Sequence, residues 1–206
     1  MSQYFQIYAT GLRAIDEYGA ALKNGVERAA LRSINRTAER ARTLAARQIR
    51  EELNLPAAYL QPGGKRLFVS QRATGKNLEA RVMARSRPTS LARFATSTKK
   101  PFEPGVTVQV QPGKARYLKK AFFIKLRAGT ASIDTRSNLG LAVRLKPGET
   151  IRNKKRAVQL SKNLFLLYGP SVAQAFISSS GRGVAGEIVD DVLDFLETEF
   201  TRQMDL

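Results

Sequence analysis

Histidine, cysteine and tryptophan are all missing from the 206 residues, and each absence closes off some chemistry. Without histidine, the commonest general base at neutral pH and the commonest transition-metal ligand are gone. Without cysteine there is no disulfide, no thiolate nucleophile and no thiolate metal site, although the redox compartment stays open because many cytosolic proteins also lack it. No run of about 18 apolar residues is present to span a bilayer. The opening residues Met-Ser-Gln-Tyr-Phe-Gln-Ile-Tyr lack the basic start and apolar stretch of a signal peptide, so the chain reads as a soluble intracellular product.

Acidic residues are scarce too. Seventeen Asp and Glu face 35 Lys and Arg, for a formal charge of +18. The excess is uneven: residues 1–186 hold 34 basic and 10 acidic side chains, and residues 187–206 hold one and seven. Such a balance implies an acidic or polyanionic partner, and the split suggests a binding body joined to an oppositely charged assembly element. Between residues 53 and 150 the only carboxylates are Glu79, Glu103, Asp134 and Glu149, each alone in its segment. No Walker-type loop occurs, since Gly169-Pro170-Ser171 and Gly181-Arg182-Gly183 are too short to cradle a phosphate. The expectation is a protein with no catalytic, metal or cofactor residues. Its 43% hydrophobic content is enough for a real core in one domain.

The clearest periodic segment runs from about Ala21 to Leu53, where Leu22, Val26, Ala30, Ile34, Ala38, Ala41, Ala45, Ile49 and Leu53 recur at steps of three or four. This predicts a long helix with a largely alanine stripe, suited to lying across a sheet or another subunit. Arg28, Arg32, Arg36 and Arg40 repeat every fourth residue and form a ridge on that helix. Two readings stay open for the ridge. It is a solvated face with local partners such as Glu27, Glu39, Glu51 and Glu52, or a row of guanidinium groups for carboxylate or phosphate on a partner.

The period then changes. Arg66–Gln71 and Leu78–Arg85 read as two half-buried strands joined by a turn at Ala73-Thr74-Gly75-Lys76, and 88–95 as a compact, helix-prone stretch. Val106–Val110 and Leu141–Leu145 are strands, and 114–126 is an extended arm leading into a strand. Leu164–Tyr168 is a buried strand. Residues 127–139 and 151–162 are read as loops, the second carrying Arg152, Lys154, Lys155 and Arg156, a cluster for nucleic acid or for docking on an acidic subunit. Ser171 opens a brief helix through Ile177, and 178–183 is a joint. From Val184 to about Met204 an amphipathic helix places Ile188, Val192, Phe195, Leu196 and Phe200 inward. Glu187, Asp190, Asp191, Asp194, Glu197 and Glu199 are expected outward, as a subunit contact or a lumen wall.

Several segments resemble the phage minor tail protein Z family, best known from phage lambda. They are Ala30-Leu31-Arg32-Ser33-Ile34-Asn35-Arg36-Thr37-Ala38, Arg47-Gln48-Ile49-Arg50-Glu51-Glu52-Leu53-Asn54-Leu55, Arg87-Pro88-Thr89-Ser90-Leu91-Ala92-Arg93-Phe94 and Leu167-Tyr168-Gly169-Pro170-Ser171-Val172. In order and spacing they cover roughly residues 20 to 200, as structural segments without catalytic residues. The resemblance implies a virion component made in the bacterial host cytoplasm that completes the tail at its head-proximal end. It also implies identical subunits in a ring, a tail terminator and head–tail connector proteins as neighbours, and double-stranded genomic DNA in the lumen. Tail symmetry makes six copies the number to expect, and no membrane is involved.

The expected fold is α+β: a long N-terminal helix packed on a small antiparallel β-sheet, with a C-terminal amphipathic helix and extended loops. Residues 1–20 form an arm or short helix, 21–177 the helix-and-sheet body and 184–204 the acidic helix, all in one tail-completion domain. The competing class is a free nucleic-acid-binding protein, such as a ribonucleoprotein subunit. It accounts for +18 directly, but leaves the acidic terminal helix unexplained and lacks a recognised RNA-binding motif.

Overall fold

The computed structural model describes residues 4–8, 20–96, 102–127, 138–151, 153–177 and 183–205. Helices and antiparallel strands share the chain in the expected α+β arrangement, with a long N-terminal helix, several antiparallel sheets and a C-terminal helix. Two compact units separate: unit 1 comprises Met1–Ile49, Ala57–Ser86 and Val172–Leu206, and unit 2 comprises Arg50–Pro56 and Arg87–Ser171.

Unit 1 is built on α1, Ala20–Glu52, 33 residues long. Val26, Ala30, Ile34, Ala38, Ala41, Ala45 and Ile49 are all buried, as the three-four spacing predicts. A second row, Ala29, Ser33 and Thr37, is buried beside them, so the hidden face is wider than the apolar pattern alone. Ser33 can be there because its hydroxyl donates to the Ala29 carbonyl, 2.7 Å away, inside the same helix. Alanine keeps the face flat, and Ile34 and Ile49, fully buried, contribute about 1.5–3 kcal/mol each by removing apolar area from water.

A three-stranded sheet follows, in the order β1–β3–β2: β1 is Tyr4–Tyr8, β2 Leu67–Gln71 and β3 Glu79–Ala84. Strand β1 falls inside the expected N-terminal arm, the rest of which, 1–3 and 9–19, lies outside the described residues. Central strand β3 alternates as predicted, with Ala80, Val82 and Ala84 buried and Glu79, Arg81 and Met83 half-buried. Two polar side chains of α1 fasten the helix to this hairpin. Asn35 donates from Nδ2 to the Ala73 carbonyl at 3.1 Å and accepts the Ala73 N–H at 2.9 Å, a two-point clamp. Arg42 donates from Nε to the Leu67 carbonyl at 3.3 Å and from Nη2 to that of Leu60; burial pulls its guanidinium pKa down and the Glu39 charge opposes this.

Near the end of unit 1, the Ala173 N–H donates to the Arg85 carbonyl at the end of β3, joining α2, Val172–Phe176, to the sheet. The expected C-terminal helix is interrupted: α3, Val184–Glu187, ends at Ile188, and α4 runs Val189–Met204. Of the expected joint at 178–183, residues 178–182 lie outside the described residues and Gly183 precedes α3.

Unit 2 is a β structure. Strands β4 (Thr89–Ser90), β10 (Leu164–Gly169), β8 (Leu139–Arg144) and β7 (Ala121–Lys125) lie in that order, and β9 (Ala157–Ser161) pairs with β10. Strands β5 (Val106–Gln111) and β6 (Lys114–Leu118) form a hairpin. Its core gathers Ala92, Ala95, Val106, Val108, Ala121, Phe123, Leu139 and Leu141. The compact stretch 88–95 divides into β4 and a 3₁₀ turn at Leu91–Phe94. The arm 114–126 is two strands rather than one, and β9 occupies part of the basic stretch expected to be a loop. Strand β10 is less enclosed than its apolar run suggested, since of Leu164–Tyr168 only Leu166 is buried. Residues 97–101 and 128–137 lie outside the described residues.

Candidate assembly surfaces

The arginine ridge divides along its length. Arg28 is exposed at an open depression of about 340 Å³ that Glu27, Leu31 and Gly75 also line. Arg32 is exposed and makes no ion pair among the described residues. The next two are engaged within their own unit. Arg36 Nη1 lies 3.2 Å from Glu199 Oε1, and the Arg40 guanidinium sits 5.2 Å from the centre of the Phe195 ring. Arg36 and Arg40 therefore form a docking strip for α4 of the same chain, a role that neither reading of the ridge named.

Glu199, the partner of Arg36 on α4, lies on a different face from the one the sequence predicts. Expected on the outer acidic face, it is 4% exposed. Arg202 holds it with two hydrogen bonds, Nη2 to Oε1 at 2.7 Å and Nε to Oε2 at 3.0 Å, and Gln203 Nε2 donates to Oε1 at 2.8 Å. These bonds, the Arg202 pair first, with the charges of Arg202 and Arg36 added, bring its pKa down to about 2 against the opposing effect of burial. The signal was in the spacing: Glu199 follows Val192 by seven residues, Phe195 by four and Leu196 by three, which puts it on the apolar arc.

The other five acidic positions do face solvent. Glu187, Asp190, Asp191, Asp194 and Glu197 are exposed, and none is in an ion pair among the described residues. Leu193, 53% exposed, and Met204, 42%, share that side of α4.

In unit 2, Lys154, Lys155 and Arg156 form an exposed 3₁₀ turn leading directly into β9, without a carboxylate partner among the described residues. Arg152 lies outside the described residues. Elsewhere in unit 2, Lys120 pairs with Glu149, whose pKa is lowered by that bond and by the Lys146 N–H. The two units differ sharply in charge: unit 1 holds 16 basic and 12 acidic side chains, and unit 2 holds 19 and five.

Compared with family models, curated proteins and solved structures, the chain matches none. Among the described residues no group of three or more acidic side chains is placed to hold a metal ion, and no helix is long and apolar enough to cross a membrane.

Two of the sequence segments singled out above meet in the fold. Thr89 and Ser90 pair with Gly169 and Tyr168. A Cβ on Gly169 would fall 2.7 Å from Phe94 Cε2, so the glycine is what lets the Phe94 ring lie against the strand. The other two segments supply the Asn35 clamp and the Asn54 N–H, which donates to the Val110 carbonyl of β5 at 2.9 Å.

Proposed function

We propose that this chain is a structural subunit of a long-tailed phage virion that completes the tail at its head-proximal end. Identical copies form a ring there, against the tail terminator and connector proteins, around the path of the genomic DNA. The observation that carries this reading is that each segment of the resemblance to the minor tail protein Z family makes a fold-defining contact. The Asn35 clamp, the Asn54 bond to β5 and the Thr89–Phe94 contact with Gly169 are scaffold interactions. A likeness confined to scaffold positions fits a protein whose work is assembly.

The charge distribution gives further support. The basic excess lies mainly in unit 2, while α4 of unit 1 offers an acidic face. A channel for sliding DNA works best with walls that do not grip phosphates, and cations that are not at the wall serve to dock neighbours. In this reading the acidic side of α4 is available to a neighbour or the lumen, and the cations of unit 2 meet acidic surfaces. Arg32 is the position of the ridge to test for DNA contact, because reversing Arg36 also breaks the Glu199 pair.

The test is location. Gold-labelled antibody against this chain on purified virions should decorate the head–tail junction, and host cells making tails without the chain should accumulate tails and filled heads that fail to join. Label spread over free cytoplasmic nucleic acid, with normal joining in its absence, would instead favour the free nucleic-acid-binding class.

A further inference from the structure

The two long edges of the five-stranded sheet are finished differently. At β7, the outer carbonyls of Phe123 and Ala121 accept the N–H groups of Phe102, at 3.0 Å, and Gly105, at 2.9 Å. Gly105 has φ +94, and a Cβ there would meet the Tyr117 hydroxyl at 2.3 Å, so glycine is required for the chain to pass along this edge. The Phe102 ring lies 6.2 Å from that of Phe122 and closes the same side. At the opposite edge, β9 has β10 as its one ladder partner among the described residues. Its sequence, Ala-Val-Gln-Leu-Ser, contains no charge, and Val158 and Leu160 are 51% and 49% exposed. An uncharged apolar edge of this kind invites another chain unless something covers it.

Charge selects what covers it. Lys154, Lys155 and Arg156 precede the strand and Lys162 follows it, so pairing β9 with its own copy, antiparallel, would bring cations to cations at both ends. The described surface of opposite sign is the outer side of α4. Its carboxylates Asp190, Asp194 and Glu197 are unpaired among the described residues, and Leu193 and Met204 add apolar area beside them. The sizes also agree, since a 16-residue helix is about 24 Å long and a five-residue strand about 17 Å.

We infer that the β9 edge with its Lys154–Arg156 turn docks on the acidic face of α4 of a second copy. The contact joins two different surfaces, so repeated round a closed rotation it generates a ring. The inference rests on the ring reading above and names the surfaces that would build it.

Charge exchange tests it. Two triple variants are made, one with Lys154, Lys155 and Arg156 each changed to Glu, and one with Asp190, Asp194 and Glu197 each changed to Lys. All six are exposed, so each variant should keep the wild-type circular dichroism. Each alone should self-associate about ten- to a hundredfold more weakly than wild type in sedimentation velocity, as three exposed pairs turn repulsive together. Mixed in equal amounts, the variants should assemble again in alternation, because each contact between unlike variants is complementary, either the reversed pair or the wild-type pair. A wild-type assembly that either triple variant retains, or a mixture that stays dissociated, would overturn this inference and leave the ring standing. A wild-type chain that is monomeric at every salt concentration would instead remove the ring itself.

Discussion

Unit 1 directs carboxylates at its own arginines, with Glu199 on Arg36 and Arg202, Glu39 on Arg72 and Glu79 on Arg81. Unit 2 has five carboxylates for 19 cations and leaves Lys154, Lys155 and Arg156 facing solvent. The net charge of +18 is thus not a uniform coat. It combines a unit whose charges come close to balance, 16 basic to 12 acidic, and a unit with 19 basic to five acidic. Buried or half-buried pairs fix a helix in place, whereas exposed unpaired cations do little for folding and much for association.

The largest effect expected from breaking this comparison lies in the core of unit 2. Phe123→Ala should cost about 3–5 kcal/mol. Hydrogen exchange should accelerate in β5, β7 and β8 while α1 keeps its protection. Equal loss of protection in α1 would mean that the two units unfold together.

Next is the carboxylate that holds α4. Glu199→Ala removes hydrogen bonds to a charged acceptor and should cost about 2–3 kcal/mol, read as faster exchange in α4. The same group gives a pH signature. Its folded pKa of about 2 lies below the ordinary 4.5, so its stabilisation is complete above about pH 4.5 and is lost as pH falls toward 2. The melting temperatures of wild type and Glu199→Gln should therefore converge over that interval; a constant difference would show that the ionised carboxylate is not what holds the helix.

Smaller effects separate neighbours on the ridge. Arg36→Ala should cost about 1 kcal/mol, and Arg32→Ala less than about 0.5 kcal/mol, in urea unfolding, because Arg36 pairs with Glu199 and Arg32 has no carboxylate partner among the described residues. Equal costs would deny the ridge its division. Smallest is Thr37→Val. Its buried hydroxyl has no hydrogen-bond partner among the described residues, so replacing it with a methyl group of similar shape should stabilise by up to about 1 kcal/mol.

The parts read correctly from sequence are those fixed by local periodicity. The stripe from Val26 to Leu53, the alternation of Ala80, Val82 and Ala84, and strand β5 each repeat with the period of a single element. What escaped depends on partners distant in sequence. Strand β9 alternates Val158 and Leu160 with Gln159 and Ser161 over too few residues to stand out in a basic stretch, and its pairing with β10 makes it a strand. Strand β6 is exposed along Lys114–Tyr117 and exists because β5 lies beside it. Glu199 carries a charge that predicts an outer position, but its spacing from Val192, Phe195 and Leu196 places it on the buried face. The division into two units is set by which distant segments fold together, and in the sequence only the scarcity of carboxylates along Arg87–Ser171 goes with it.

Native mass against salt concentration, measured by light scattering on the purified chain with electron microscopy of the same samples, bears most directly on the proposal of a charge-assembled ring subunit. Closed rings at low salt, at an integral multiple of 22.8 kDa, that dissociate as salt screens the α4–β9 charges would bear it out. A 22.8 kDa particle at every salt concentration, binding short duplexes with an affinity that falls steeply with salt, would contradict it.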